Sequence, residues 1–261
     1  MLAQRLSLSL PTIKNVSPGG FDNLYSLDFD GVDDYVKWGD ADVFSINDSG
    51  ANRGFSISAW IKTTGSQDEI ISKIDGSNNE YKFEVGRNGK LEFVVFGNND
   101  GSIVQGIKLN TPIVGDGNWH HVAASFNLAD ASTSLLLFVD GVEYDAADAG
   151  TVYTSVGTWA APANTTAPLN MGRRGTDVWY FVGNIDEVAI FDNVMSQVEA
   201  SAIYNSGTPT DISSDAYLLG YWRNGDTAGT SVYPTIEDYS SNSNDGTMTS
   251  MVSGDIVTDV P

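Results

Sequence analysis

The chain has 261 residues, with 13 Lys and Arg against 34 Asp and Glu, a formal net charge of −21 and a sequence pI of about 4.1. A surface this acidic repels phosphate backbones and anionic bilayers, so neither nucleic acid binding nor membrane insertion is expected. There is no cysteine, so disulfides, thiolate nucleophiles and zinc–thiolate sites are excluded too, and no stretch approaches a transmembrane span.

The 27 glycines against 8 prolines, with 11 Phe, 11 Tyr and 6 Trp, predict many short strands joined by tight turns. Residues 1–20 read as an arm, carrying Pro11, Pro18, Gly19 and Gly20 and one short alternating strand at Leu6, Leu8 and Leu10. The arm is too short and too broken for the apolar region of a signal peptide, so export by the general route is not expected.

From Tyr25 strands follow one another. In LDFDG, Leu27 and Phe29 point inward while Asp28 and Asp30 point out. Tyr35 to Trp38 is the next strand. Phe55 to Lys62 places Phe55, Ile57, Ala59 and Ile61 on one face and Trp60 on the other. EIISKI, YKFEVG and KLEFVVFG follow, with Gly86–Arg87–Asn88–Gly89 as a hairpin turn. WHHVAASF puts Trp119 and His121 on one face and His120 on the other. Leu135 to Val139 is apolar on both faces, the mark of a strand buried between layers. LNMGRRG and Tyr180 to Asp192 close the series.

Ser196–Gln197–Val198–Glu199 is a capping box that opens one short helix, with Val198, Ala202 and Ile203 sharing a face and Gly207 as a stop. LLGYWRNG, from Leu218, returns to strand. About a dozen strands, one helix and no βαβ alternation predict an all-β, two-layer antiparallel sandwich. The expected organisation is an arm (1–20), one domain (21–249, closed by 208–249) and a tail (250–261). The closing part either completes the sandwich beside the first strands, which is favoured, or opens a second repeat.

The order FDGVDDYV, GFSISAWIKT, NWHHVAASF, LLLFVDG, LNMGRRG, GNIDEVAIFD and a helix ending in YNSG resembles the laminin-G-like jelly rolls of the concanavalin A-like lectin/glucanase superfamily. Each motif alone is weak, whereas seven in order are specific. The resemblance implies two curved antiparallel sheets and non-catalytic roles in carbohydrate binding, adhesion or assembly. The acidic domain with its LSLP-type arm also resembles virion proteins of tailed phages of marine bacteria, which implies a place on the virion surface as capsid decoration or fibre component.

The Asp-rich turn of FDGVDDYV offers carboxylates and free carbonyls to a hard cation such as Ca²⁺. In the family an early aspartate turn and a late acidic strand residue share a structural Ca²⁺. By motif these are Asp30, Asp34 and Asp186, and the competing reading is an Asp-Gly turn with solvated acids. For glycan binding the candidates are Trp159, in a long loop with no strand pattern to bury it, and Trp179 with Arg173 and Arg174, conspicuous cations in so acidic a chain. The competing reading fills loop cores or a subunit interface with these tryptophans.

His120 and His121 read as parts of a packed strand, because no HxH or HExxH spacing accompanies them. A hydrolase would need two placed carboxylates. The E-x-D-x-(x)-E run of the superfamily's glucanases is missing, and Glu80 and Glu84 share a strand face without the middle aspartate. The expectation is therefore a non-enzymatic virion surface protein whose partners are other virion proteins or further copies of itself, and host-surface glycans. The alternatives are a Ca²⁺-dependent carbohydrate-binding bacterial adhesin and, with less support, a glycan hydrolase.

Overall fold

The computed structural model describes residues 21–46, 54–65, 68–128, 135–159, 161–175, 178–226 and 233–261. The arm expected over 1–20 lies outside the described residues. Strand β1 (Ser26–Asp30) buries Leu27 and Phe29 and turns Asp28 and Asp30 out, as alternation requires. Gly31, at φ 77°, opens the acidic turn into β2 (Tyr35–Lys37). Next come β3 (Gly54–Lys62), β4 (Asp68–Ile74), β5 (Asn79–Gly86) and β6 (Lys90–Phe96). The last two form the predicted hairpin, with Asn88 and Gly89 supplying the left-handed residues at φ 64° and 71°. The chain continues with β7 (Val104–Leu109), β8 (Trp119–Asn127), β9 (Leu135–Val139), β10 (Val142–Tyr144) and β11 (Thr151–Val156). Then follow β12 (Leu169–Met171), β13 (Arg173–Arg174), β14 (Val178–Tyr180) and β15 (Val182–Phe191). Helix α1 (Gln197–Tyr204) precedes β16 (Leu218–Trp222), β17 (Thr235–Ile236), β18 (Gly246–Thr249) and β19 (Ile256–Val257).

Two antiparallel sheets face each other. The first runs β10-β9-β8-β3-β15-β1-β19, with β16 beside β15, and the second runs β11-β7-β6-β5-β4-β12-β2-β18-β17. Their inner faces enclose one core of Leu, Ile, Val and aromatic side chains, including Phe29, Phe55, Phe83, Phe93 and Trp222. Burying each such side chain is worth about 1.5–3 kcal/mol, which is what holds the layers together. The outer face of the first sheet is apolar as well. There Ala123, Phe138, Ala189, Phe191 and Tyr221 meet Met195 and Ala200, at and just before α1, which explains the two-faced apolar run at Leu135 to Val139.

Helix α1 has the predicted capping box. The Ser196 hydroxyl accepts from Glu199 N (3.3 Å) and the Glu199 carboxylate accepts from Ser196 N (2.7 Å). Its buried face is not the predicted one. Val198 is 78% exposed and Ala202 is exposed, whereas Ala200 is buried and Ile203 and Tyr204 are half-buried. The rotation is set by contacts that propensity cannot see. Ser201 donates to Gly141 O (2.9 Å), and Tyr204 stacks on Trp60 at 5.8 Å between ring centroids. Under the helix, His121 Nε2 lies 2.8 Å from Ser58 Oγ, wholly buried.

The segment after Gly207 contributes to both sheets: β16 pairs with β15, and β18 pairs with β2. Residues 250–261 are not a loose tail, because β19 pairs with β1, Met251 is buried, and Asp259 accepts from Lys62 Nζ (2.6 Å) and Trp119 Nε1 (3.0 Å). Strands β7, β10, β11, β14 and β17 to β19 were not predicted. Gly106 interrupts the pattern of β7, and β11 buries no side chain fully, so neither shows a clear alternation of apolar residues.

Candidate functional site

The hairpin β5–β6 builds the floor of the site. Tyr81, Phe83, Val85, Leu91, Phe93 and Val95 point into the core, so alternation turns Lys82, Glu84 and Glu92 to the opposite face of the second sheet. A row of glutamates results across three adjacent strands: Glu69 of β4 lies opposite Glu84 of β5, which lies opposite Glu92 of β6, and Lys108 of β7 ends the row. Like charges in direct register repel unless cations are interleaved. Lys82 Nζ reaches Glu84 at 2.5 Å, Arg174 Nη1 reaches Glu84 at 3.2 Å, and Arg174 Nε stands 3.9 Å from Glu69. Glu69 is fully buried, and among the described residues neither of its carboxylate oxygens has a hydrogen-bond partner. Burial, reinforced by the charge of Glu84, pushes its carboxyl well above the usual range.

Arg174 is delivered by a small hairpin. The chain leaves β12 at Gly172, where φ is 81° and a Cβ would fall 2.4 Å from the Phe29 ring, so only glycine fits. Strand β13 then pairs with β14, and Ser72 Oγ donates to Arg173 O (2.8 Å), fixing the hairpin to β4. Trp179 sits in the left-handed region at φ 59°, a cost of roughly 1–2 kcal/mol for a residue with a Cβ. The indole stays 37% exposed, with the Arg174 guanidinium 5.2 Å from its ring centroid. Trp179, Arg174, Lys82, Asn79, Phe96 and Ile74 line a groove of about 240 Å³.

The four predicted ligand contacts therefore separate. Arg174 and Trp179 meet at the groove. Arg173 does not join them: its guanidinium lies buried 3.6 Å over the Tyr35 ring and donates to Asn170 Oδ1 (3.2 Å). Trp159 is packed against the core, edge-on to Phe126 at 6.0 Å, and further along the same loop Ala163 N donates to Phe96 O (2.8 Å). Glu80 and Glu84 do not share a face. An extra residue in β5 between the pairs Lys73–Tyr81 and Ile74–Asn79 turns Glu80 to Lys73 instead. Lys73 is fully buried, and its ammonium donates to Asp40 (2.9 Å), Glu80 (2.8 Å) and Ala167 O (2.8 Å).

The three predicted metal ligands also separate. Asp30 pairs with Val182 and Leu27 with Ile185, so Asp186 lies beyond Leu27, roughly 13 Å from Asp30 along the strands. Asp33 takes its place: Asp30, Asp33 and Asp34 offer carboxylate oxygens within 4.8 Å of one another. Asp30 Oδ1 already accepts from Val32 N (2.8 Å), and Asp34 accepts from Asp30 N (3.1 Å). Asp34 is buried, and desolvation pushes its carboxyl up to about 6. Three hard oxygen donors around an ionised form that burial disfavours suit a divalent cation in donor type. Asp186 serves the architecture instead. Wholly buried, it accepts from Asn23 Nδ2 (2.9 Å) and Glu187 N (2.8 Å). Glu187, at φ 48°, binds the Tyr221 hydroxyl and Arg223 Nε (3.3 Å), and Arg223 reaches Asp226 (3.2 Å), which holds Leu24 N. This network ties the entering chain to β15.

The glutamate row, Phe96 and Lys108 were not singled out in the sequence. The signal was present in YKFEVGRNGKLEFVVF, where charged residues alternate with core residues on both arms of the hairpin.

The chain is an antiparallel two-sheet sandwich with an aromatic groove on the outward face of one sheet. Residues 30–201 match the laminin-G-like model of the concanavalin A-like lectin/glucanases superfamily, and the chain belongs to that superfamily. Among solved structures it is similar to a Bacteroides ovatus protein provisionally assigned as carbohydrate binding. The TM-score there is 0.57 at 15% identity, over 91% of this chain and 60% of that one. It is also similar to the heptameric SAP-like pentraxin of Limulus polyphemus, with a TM-score of 0.45 at 14% identity, over 71% of this chain and 84% of that one. At these identities the likeness is one of fold. No curated protein sequence matches the chain.

Proposed function

We propose that this chain is a non-catalytic glycan-binding jelly roll that works on the surface of a virion, as a capsid decoration or fibre component, alongside other virion proteins or further copies of itself. The observation that carries the glycan reading is Trp179. Its indole is held half-open by a strained backbone beside the polar ends of Asn79, Lys82 and Arg174, and sugar rings stack on such a surface while their hydroxyls find donors and acceptors at its rim. The virion placement is supported by the resemblance of the acidic chain and its LSLP segment to phage proteins. A non-catalytic role is supported by the ion pairing of Glu84 and the burial of Glu69, so that these two carboxylates are not a free pair beside the Trp179 groove. Within this reading Asp30, Asp33 and Asp34 would hold a structural Ca²⁺.

The test is a glycan array probed with the chain and with Trp179→Ala. Saturable binding lost in a folded Trp179→Ala variant is the expected result. A folded wild-type chain that binds no glycan would overturn the reading.

A further inference from the structure

Next to the Trp179 groove, and sharing Lys82 and Arg174 with it, lies a second groove of about 270 Å³, lined by Lys82, Glu84, Arg87, Glu92, Lys108 and Arg174. Every one of these side chains is charged. Four are cations, out of only 13 in a chain whose net charge is −21. Against two carboxylates they leave a local surplus of positive charge where the rest of the molecule is strongly negative. We propose that this groove selects glycans carrying a carboxylate or sulfate over their neutral counterparts, an inference that rests on the glycan-binding reading above.

The competing explanation is that the cations only hold the glutamate row together. Lys82 and Arg174 answer Glu84 and Glu69, which leaves only Glu92 to the other two cations. Glu69 is fully buried and does not line the groove. One cation is loosely held and one is unpaired among the described residues. Lys108 stands 3.9 Å from Glu92 with its side chain 39% exposed, and Arg87, exposed in the β5–β6 turn, makes no ion pair among the described residues. Both line the groove that shares Lys82 and Arg174 with the Trp179 groove. An arginine fork and a mobile ammonium are the groups that recognise a carboxylate or sulfate.

The rest of the molecule limits what can enter. A long polyanion meets the field of the whole acidic surface before it reaches the groove. A short oligosaccharide with one or two acid groups meets mainly the local cations. Salt screens the long-range repulsion beyond about 10 Å at 0.1 M while leaving close pairs less affected. Selectivity for short over long acidic chains should therefore be greatest at low salt.

The experiment uses the full chain on matched pairs of short oligosaccharides: oligogalacturonates with their methyl esters, and sulfated oligosaccharides with their desulfated forms, followed by calorimetry. Charged members should bind about tenfold tighter than neutral ones. Arg87→Ala and Lys108→Ala, both exposed positions, should shrink that ratio, and polygalacturonate should lose to the trisaccharide most clearly at low salt. Preference for carboxylate or for sulfate in the two series identifies the source of the charge. Neutral forms binding as tightly as charged ones would overturn the inference while the glycan reading stands. No binding to any member, charged or neutral, would overturn both.

Discussion

Lys73 is the sharpest test of how the second sheet is held. Its ammonium is wholly buried and all three of its donors are used, on Asp40, Glu80 and the carbonyl of Ala167. Glu80 is buried too, and its Oε1 also accepts from Thr165 N (2.8 Å) and Thr165 Oγ1 (3.0 Å). Lys73→Met keeps the length of the side chain and removes the charge, leaving a buried carboxylate without its cation. Breaking one partner of a buried ion pair costs about 3–5 kcal/mol. For a chain of this size that lowers the melting temperature by on the order of 10 °C. Asp40 is partly exposed and can turn to water, so most of the loss belongs to Glu80. Lys73→Met with Glu80→Gln removes both charges while the amide oxygen still accepts from Thr165, and most of the lost stability should return. Urea denaturation followed by tryptophan fluorescence measures all three proteins. A single variant within about 1 kcal/mol of wild type would refute the reasoning, as would a double variant no more stable than the single one.

Three further predictions concern other parts of the molecule. Burial pushes the His121 imidazole down to about 4 from 6.5, so its contribution to stability is complete above 6.5 and is lost as pH falls through 4. His121→Gln should therefore remove up to about 3 kcal/mol of the acid sensitivity seen between pH 7 and 4, and an unchanged acid profile in the variant would disprove this. Saturating Ca²⁺ should raise the melting temperature of the wild type, by about 2.7 kcal/mol of stability at a hundredfold excess over the dissociation constant. Asp34→Asn should not respond, and identical wild-type melting in Ca²⁺ and in chelator would rule the ion out. Val198→Lys should change stability by less than about 0.5 kcal/mol, whereas Ala200→Leu should cost about 1–3 kcal/mol by overpacking. The opposite ranking would mean that the buried face of α1 has been misassigned.

The sequence by itself determined the all-β class, the strands with clean alternation, the hairpin at Gly86 to Gly89 and the capping box at Ser196. These are local: a period of two, a left-handed turn residue or a hydroxyl three positions before a glutamate acts over a few residues wherever it occurs. It also marked Trp179 and Arg174, because a tryptophan close to a pair of scarce cations stands out in an acidic chain.

Tertiary structure decided what depends on register and on distant partners. Antiparallel pairing of Asp30 with Val182 put Asp186 out of reach of the acidic turn, which leaves Asp30, Asp33 and Asp34 as a local cluster. One extra residue in β5 sent Glu80 to Lys73 and left Glu84 in the groove. The Gly141 turn and the Trp60 ring set the rotation of α1. The glutamate row exists only where three strands lie side by side, so its repulsion, and the cations that answer it, are properties of the sheet. A strand's own sequence tells which side chains share its face, but the neighbours those side chains meet are set by pairing energies summed over the whole fold.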